Sequence, residues 1–224
     1  MPEPSPSQTL RSITRVTTWL VEHGLSDREG WPKLVGNDFT GSVTTANAVD
    51  SSVLRDVKYE DLYDDQLRLG AFNSVLLDGA ILQLSYDFKA RKLVRHRLAY
   101  LPSPRLLDYQ NLPELYLHET PFVDIVGSQV VAVPVRFDYD ARDGVVIDEM
   151  HPAAHLTLGQ YKHCRIPVSA PVTPAVFVDF IVRHFYWTPD TVPIVLDRDL
   201  ESAFAYAAPA IDPESMHIVS PGRR

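Results

Sequence analysis

An α+β fold, with helices packed on one face of a mostly antiparallel sheet, is predicted by three features of this 224-residue chain. Apolar residues recur at helical spacing near the N-terminus and again after Thr173, and apolar and polar residues alternate from Leu82 onward. The links between the alternating runs are too short for crossover helices, so neighbouring strands run antiparallel and the helices are left to cover the sheet.

From Ser7 to His23 the positions Leu10, Ile13, Val16 and Leu20 line one helical face, and Gly24 supplies the stop. The next stretch, Asp27 to Asn47, is rich in Gly, Thr and Asn and reads as irregular or weakly extended, so residues 1–48 form a helix plus an irregular arm. Asp50 or Ser51 can cap a helix entering Val53 and Leu54, and a short helical piece follows from Tyr59 to Leu69. Strand pattern begins at Asp78-Gly79. Leu82, Leu84, Tyr86 and Phe88 alternate with Gln83, Ser85 and Asp87, and after the turn KARK the alternation resumes at Val94, His96, Leu98 and Tyr100, which predicts a hairpin. Pro102 and Pro104 end it, because neither can donate to a ladder. Strands resume from Val130 to Tyr139, turn at ARDG, and continue through Val145 to Ile147, His155 to Leu158 and Arg165 to Val168. Thr173 then reads as an N-cap with Pro174 at the first helical position, and Phe177, Phe180, Ile181 and His184 share a face of the helix that covers the sheet. A short helix is expected near Leu200 to Tyr206, and residues 220–224 as a loose tail of a single domain spanning 1–224.

Composition narrows the function classes. With 45% hydrophobic and 22% charged residues the chain can bury an ordinary core. No segment approaches the run of about 18 apolar residues that spans a bilayer. The first residues lack the basic region and apolar core of a secretory signal, and one cysteine, Cys164, cannot form an internal disulfide, so a reducing cytoplasm is expected. A net charge of -8 and a pI near 5.4 disfavour nonspecific wrapping on nucleic acid. The candidate for a local basic groove is Arg91, Lys92, Arg95, His96 and Arg97 on one hairpin, which a solvated face explains equally well.

The run HPAAHLTLGQYKHCRIPVSAPVTPAVFVDFIVRHFY, with RFDYD upstream and LQLSYDF and LVRHRLAYLP before it, resembles a bacterial family known as domain of unknown function twenty-two ninety. The likeness covers most of the chain and is strongest from Leu82 to Tyr186. It implies a bacterial cytoplasmic protein placed among defence or restriction genes. No catalytic residue carries over from it.

Chemistry is therefore argued from the side chains, and the stretch from Arg136 to Val168 concentrates them on segments that otherwise read as buried strand. His151, His155 and Asp138 form a candidate set for a divalent metal that would activate water, with His163 and Cys164 nearby. Against it stand a His-Pro turn at His151, a carbonyl-bonded His155 and a Cys164 that is a small core residue. His155-Leu-Thr157 and His118-Glu-Thr120 both fit the H-x-T pattern of two-histidine phosphoesterases, in which alternate strand residues face one groove and the histidines exchange protons with substrate. Asp138 and Asp140 with Glu149 offer a magnesium site, the alternative being an Arg136–Asp138 pair along the strand with Asp140 starting a turn. Arg165 either clamps a phosphate or pairs with one of these acids.

The expected activity is hydrolysis of a phosphodiester or nucleotide around His151, His155, Asp138 and Arg165. The alternative is an accessory protein that binds a protein partner encoded in the same operon, with Tyr59, Tyr63, Tyr100, Tyr109, Tyr116, Phe185, Tyr186 and Trp187 as aromatic anchors.

Overall fold

Ser5 opens the first helix, α1 (Pro6–Glu22), with a capping box: its hydroxyl accepts from the Gln8 backbone at 3.3 Å and its own N–H donates to the Gln8 side chain at 2.8 Å. The computed structural model describes residues 3–45, 57–105, 133–142, 152–161, 163–186, 204–205 and 216–220. Along α1, Ile13, Val16 and Leu20 are buried as their spacing requires, and the chain leaves the helix through Gly24 at φ 63°. Helix α2 (Tyr59–Leu69) ends at the left-handed Gly70. Helix α3 (Pro174–Phe185) starts at Thr173, whose hydroxyl accepts from the Val176 N–H, with Pro174 at the position where its missing N–H costs nothing. Phe177 and Ile181 are buried and Phe180 is partly buried, but His184 is exposed, because the last turn, Arg183 to Phe185, projects beyond the surface that the helix covers.

Nine strands form one antiparallel sheet among the described residues: β1 (Ser26–Glu29), β2 (Lys33–Gly36), β3 (Gly41–Thr44), β4 (Ser74–Leu76), β5 (Ile81–Lys89), β6 (Lys92–Leu101), β7 (Val135–Asp140), β8 (Ala154–Leu158) and β9 (Ile166–Pro167). The order is β1-β4-β5-β6-β7-β8-β9, with β3 also bonded to β5 and β2 to β3. The arm expected to be irregular thus holds three short strands. Their sequences SDRE, KLVG and GSVT do not show a strand's alternation over any useful length, and backbone pairing to β4 and β5 is what orders them.

Strand β7 begins at Val135, directly after Pro134, and Val130 to Ala132 lie outside the described residues. The helix expected at Val53, the strand at Val145 to Ile147 and the tail beyond Ser220 lie outside the described residues. So does the C-terminal helix apart from Phe204 and Ala205, which are not helical.

The sheet separates two apolar layers. Leu82, Leu84, Tyr86 and Phe88 of β5, with Leu98 and Tyr100 of β6, join α1 and α3 in the main core. The alternate residues Ile81, Ala99 and Leu101 belong to a smaller cluster with Tyr63, Tyr59 and Leu67 of α2. Side chains of opposite parity point to opposite faces of a strand, so α1 and α3 cover one face and α2 closes one end of the other. A bulge between Asp87 and Phe88 shifts the register by one residue near the hairpin tip, so that Leu93, not Val94, is buried there.

The tip itself carries strain. Ala90 and Arg91 both take positive φ, 52° and 61°, the geometry of a tight hairpin turn that favours Asn-Gly. Replacing the pair by Ala90→Asn with Arg91→Gly is expected to stabilise the protein by about 1 kcal/mol, read as a higher urea midpoint at unchanged slope.

Candidate functional site

The register of β6, β7 and β8 places Arg97 opposite Asp138 and Asp138 opposite His155. Directly opposed residues face the same side, so three strands contribute one side chain each to a single row on the sheet face that α2 only partly covers. Asp138 is 8% exposed. Its Oδ1 accepts from Arg97 Nε at 2.9 Å and its Oδ2 from Arg136 Nε at 2.5 Å, while His155 Nε2 stands 3.8 Å from Oδ2. Burial alone would raise the Asp138 carboxyl, but Arg136 and Arg97 outweigh it and hold the group below its usual 3.8.

Both arginines reach the shared carboxylate through Nε. Their Nη nitrogens make no hydrogen bond among the described residues, and the two side chains keep 23% and 25% of their surface accessible. One buried acid therefore fixes two guanidiniums, whose forks remain available to a second anion. His155 is oriented from its other side, with Nδ1 3.0 Å from the Pro152 carbonyl oxygen. With Nδ1 donating to that carbonyl, Nε2 is turned toward the Asp138 carboxylate, which would stabilise an imidazolium. Thr157, two residues on and on the same face, lies opposite Arg136.

The arrangement bears differently on each sequence expectation. Asp138, His155 and Thr157 come together, while His151, His118 and Glu149 lie outside the described residues. Among the described residues no group of three His, Cys, Asp or Glu side chains is disposed to hold a metal ion. A cation at Asp138 would also have to displace a guanidinium from each oxygen, so the donor set there suits an anion better.

Arg165 precedes β9, and no ion pair joins it to Asp138 among the described residues; Arg97, from the basic hairpin, takes that place. Asp140 Oδ1 accepts from the Arg142 backbone N–H at 3.1 Å, as the turn reading requires, and the Arg142 guanidinium adds two side-chain bonds at 2.8 and 2.5 Å. His163 is exposed, and Cys164 is half-buried, with its sulfur accepting from the Leu158 N–H at 3.3 Å. The Arg97–Asp138 link was the feature that motif spacing could not supply, since the two residues are 41 apart in sequence.

Of the described aromatic anchors, Tyr59 and Tyr186 are half-buried and Phe185 is exposed. Tyr63 and Tyr100 are buried, Tyr59 and Tyr63 donate to the carbonyls of Pro102 and Gly79, and Tyr186 donates to Asp78 at 2.8 Å. Tyr109, Tyr116 and Trp187 lie outside the described residues. Among the described residues no helix is long and apolar enough to cross a membrane.

No curated protein and no solved structure matches the chain. The profile of a family described as "Uncharacterized conserved protein (DUF2290)" matches residues 25–219, a span that includes all nine described strands but none of α1. The row Arg97–Asp138–His155 falls within that span, and the chain belongs to this family.

Proposed function

We propose that this protein binds a phosphate-bearing ligand on the polar sheet face and hydrolyses a phosphodiester or nucleotide there. The observation that carries the reading is the pair of guanidiniums tied through Nε to one buried carboxylate, their Nη nitrogens making no hydrogen bond among the described residues. Their orientation is fixed before a ligand arrives, so little side-chain freedom is lost on binding. Arg97 and Arg136 would hold two non-bridging phosphate oxygens and oppose the charge that grows on them during displacement. His155 Nε2 would accept a proton from the attacking water as its oxygen bonds to phosphorus, and the imidazolium would return that proton to the leaving oxygen as the old bond breaks. Asp138 would hold the imidazolium in the interval. No metal ion is needed for this sequence.

Calorimetric titration with adenosine monophosphate tests the binding half, and release of nitrophenol from bis(p-nitrophenyl) phosphate tests the chemistry. Arg97→Ala and Arg136→Ala should each weaken nucleotide binding by about tenfold or more. His155→Ala should keep the binding and lose the turnover. If His155→Ala loses thermal stability in step with activity, the histidine is structural and the catalytic reading falls.

A second reading, an accessory protein that docks a partner encoded nearby, draws on exposed Trp31, Val35 and Phe39 in the segment from Gly30 to Gly41.

A further inference from the structure

Next to the row of Arg97, Asp138 and His155, the polar face carries a second row, Gln83, Ala99, Arg136 and Thr157, across β5 to β8. Beyond Thr157 the register of β9 on β8 continues past its last ladder pair, Leu156 with Ile166, because the Leu158 N–H donates to Cys164 Sγ at 3.3 Å. Arg165, between Ile166 and Cys164, therefore stands across from Thr157. Ile166 packs against the main core, so the side chain of its neighbour Arg165 leaves on the polar face, as that of Pro167 does opposite His155.

Thr157 is 5% exposed, yet its hydroxyl makes no hydrogen bond among the described residues, which is costly for a buried polar group. Arg165 is half-buried, and its guanidinium has no hydrogen bond or ion pair among the described residues. Arg97 and Arg136 share one carboxylate and so leave a single positive charge in excess, which suits one singly charged phosphate group. Arg165 adds a second, with no acid against it among the described residues. Two strand spacings, about 10 Å, separate its backbone from that of Arg136, with Thr157 between them, so the two arginines can each take one of two neighbouring phosphates.

Resting on the phosphate reading above, we propose that the ligand carries a diphosphate, two phosphates joined through one bridging oxygen, with the first held by Arg97 and Arg136 beside His155 and the second by Thr157 and Arg165. The Thr157 hydroxyl donates to an oxygen of the second phosphate, and the Arg165 guanidinium grips the same group through two of its N–H donors. A ligand with one phosphate leaves Thr157 buried without a partner and Arg165 without an anion. These two residues therefore set the specificity of the site, selecting diphosphate over monophosphate.

Calorimetric titration with adenosine diphosphate and adenosine monophosphate, without divalent metal, tests it on the wild type, Arg165→Ala, Thr157→Val and Lys92→Ala. Lys92 is exposed at the hairpin tip, and removing it controls for the greater charge of the diphosphate. The wild type should bind the diphosphate at least about tenfold more tightly than the monophosphate. Arg165→Ala and Thr157→Val should each bring that ratio toward one by weakening the diphosphate alone, whereas Lys92→Ala should leave it in place. Both site variants remove a group without a partner among the described residues, so the thermal unfolding midpoint should hold. Equal affinities in the wild type, a ratio that either site variant leaves unchanged, a monophosphate affinity that falls as far as the diphosphate affinity, or a ratio that Lys92→Ala lowers as much as Arg165→Ala would overturn the second subsite while leaving the phosphate site standing. Binding of neither nucleotide by the wild type would remove both.

Discussion

Stability of the folded protein is expected to fall steadily as pH drops below about 6.5, at close to 1.4 kcal/mol per pH unit, because of one side chain, His96. It lies fully inside the main core, 5.5 Å from the Tyr86 ring and 5.9 Å from Tyr139, and its Nε2 accepts from the Val172 N–H at 3.0 Å. Burial dominates over the nearby Asp138 and drags the imidazole from its ordinary 6.5 to about 3. The unfolded chain therefore takes up a proton that the folded chain refuses. Since the folded value is the lower one, the full contribution is present above about 6.5 and is lost progressively down to about 3, a total of up to about 5 kcal/mol. Urea unfolding between about pH 7 and about pH 4 measures it. His96→Gln, whose side-chain oxygen can still accept from Val172, should flatten the dependence in that range. An unchanged slope in His96→Gln would mean that other groups govern acid unfolding.

The basic-groove reading of the hairpin does not hold for His96, which is buried on the core face in phase with Leu98 and Tyr100, opposite to the side that carries Arg95 and Arg97. The same periodicity located α1, α2, α3 and the β5–β6 hairpin, because each buries one stripe or one face and must repeat at 3.6 or 2 residues to do so. It failed at β1 and β2, which are mostly exposed, and at β3, where Val43 is the buried apolar side chain; these short strands are held by ladder bonds that leave little trace in side-chain choice. The candidate site divides in the same way. Asp138, His155 and Thr157 were legible because ionisable and hydroxyl groups on strands are unusual. Arg97 was seen only as part of a basic hairpin, since joining it to Asp138 needs the register of β6 on β7, and a one-residue slip would have sent it into the core. For Arg165, the pairing with Asp138 open to it in sequence falls instead to Arg136 and to Arg97, the latter on a strand much earlier in the chain.

Removing the acid from that row is expected to cost more than removing either base. In Asp138→Ala the guanidiniums of Arg97 and Arg136 lose the one carboxylate they share and are left side by side, about three-quarters buried. Breaking a buried ion pair from one side leaves an uncompensated charge, and the partial exposure of both arginines puts the expected loss near 3 kcal/mol, the low end of such cases. Arg97→Ala leaves Asp138 with Arg136, and Arg136→Ala leaves it with Arg97, so each should cost less.

Adding Arg97→Met to Asp138→Ala should recover part of the loss, because it removes one of the two unpaired charges while filling the same volume. The pH signature also separates this site from His96. Asp138 is held below its usual value, so its contribution persists until the pH falls below about 4, where the unfolded chain begins to take up the proton, and is lost as the pH drops through the folded value. An Asp138→Ala loss under about 0.5 kcal/mol would class the row as an ordinary solvated ion pair. It would also undercut the preorganised guanidiniums on which the phosphate site depends. A large loss, with the partial rescue by Arg97→Met, would show that the fold bears a real cost to hold two arginines around one acid, which is the expense expected of a site built to receive an anion.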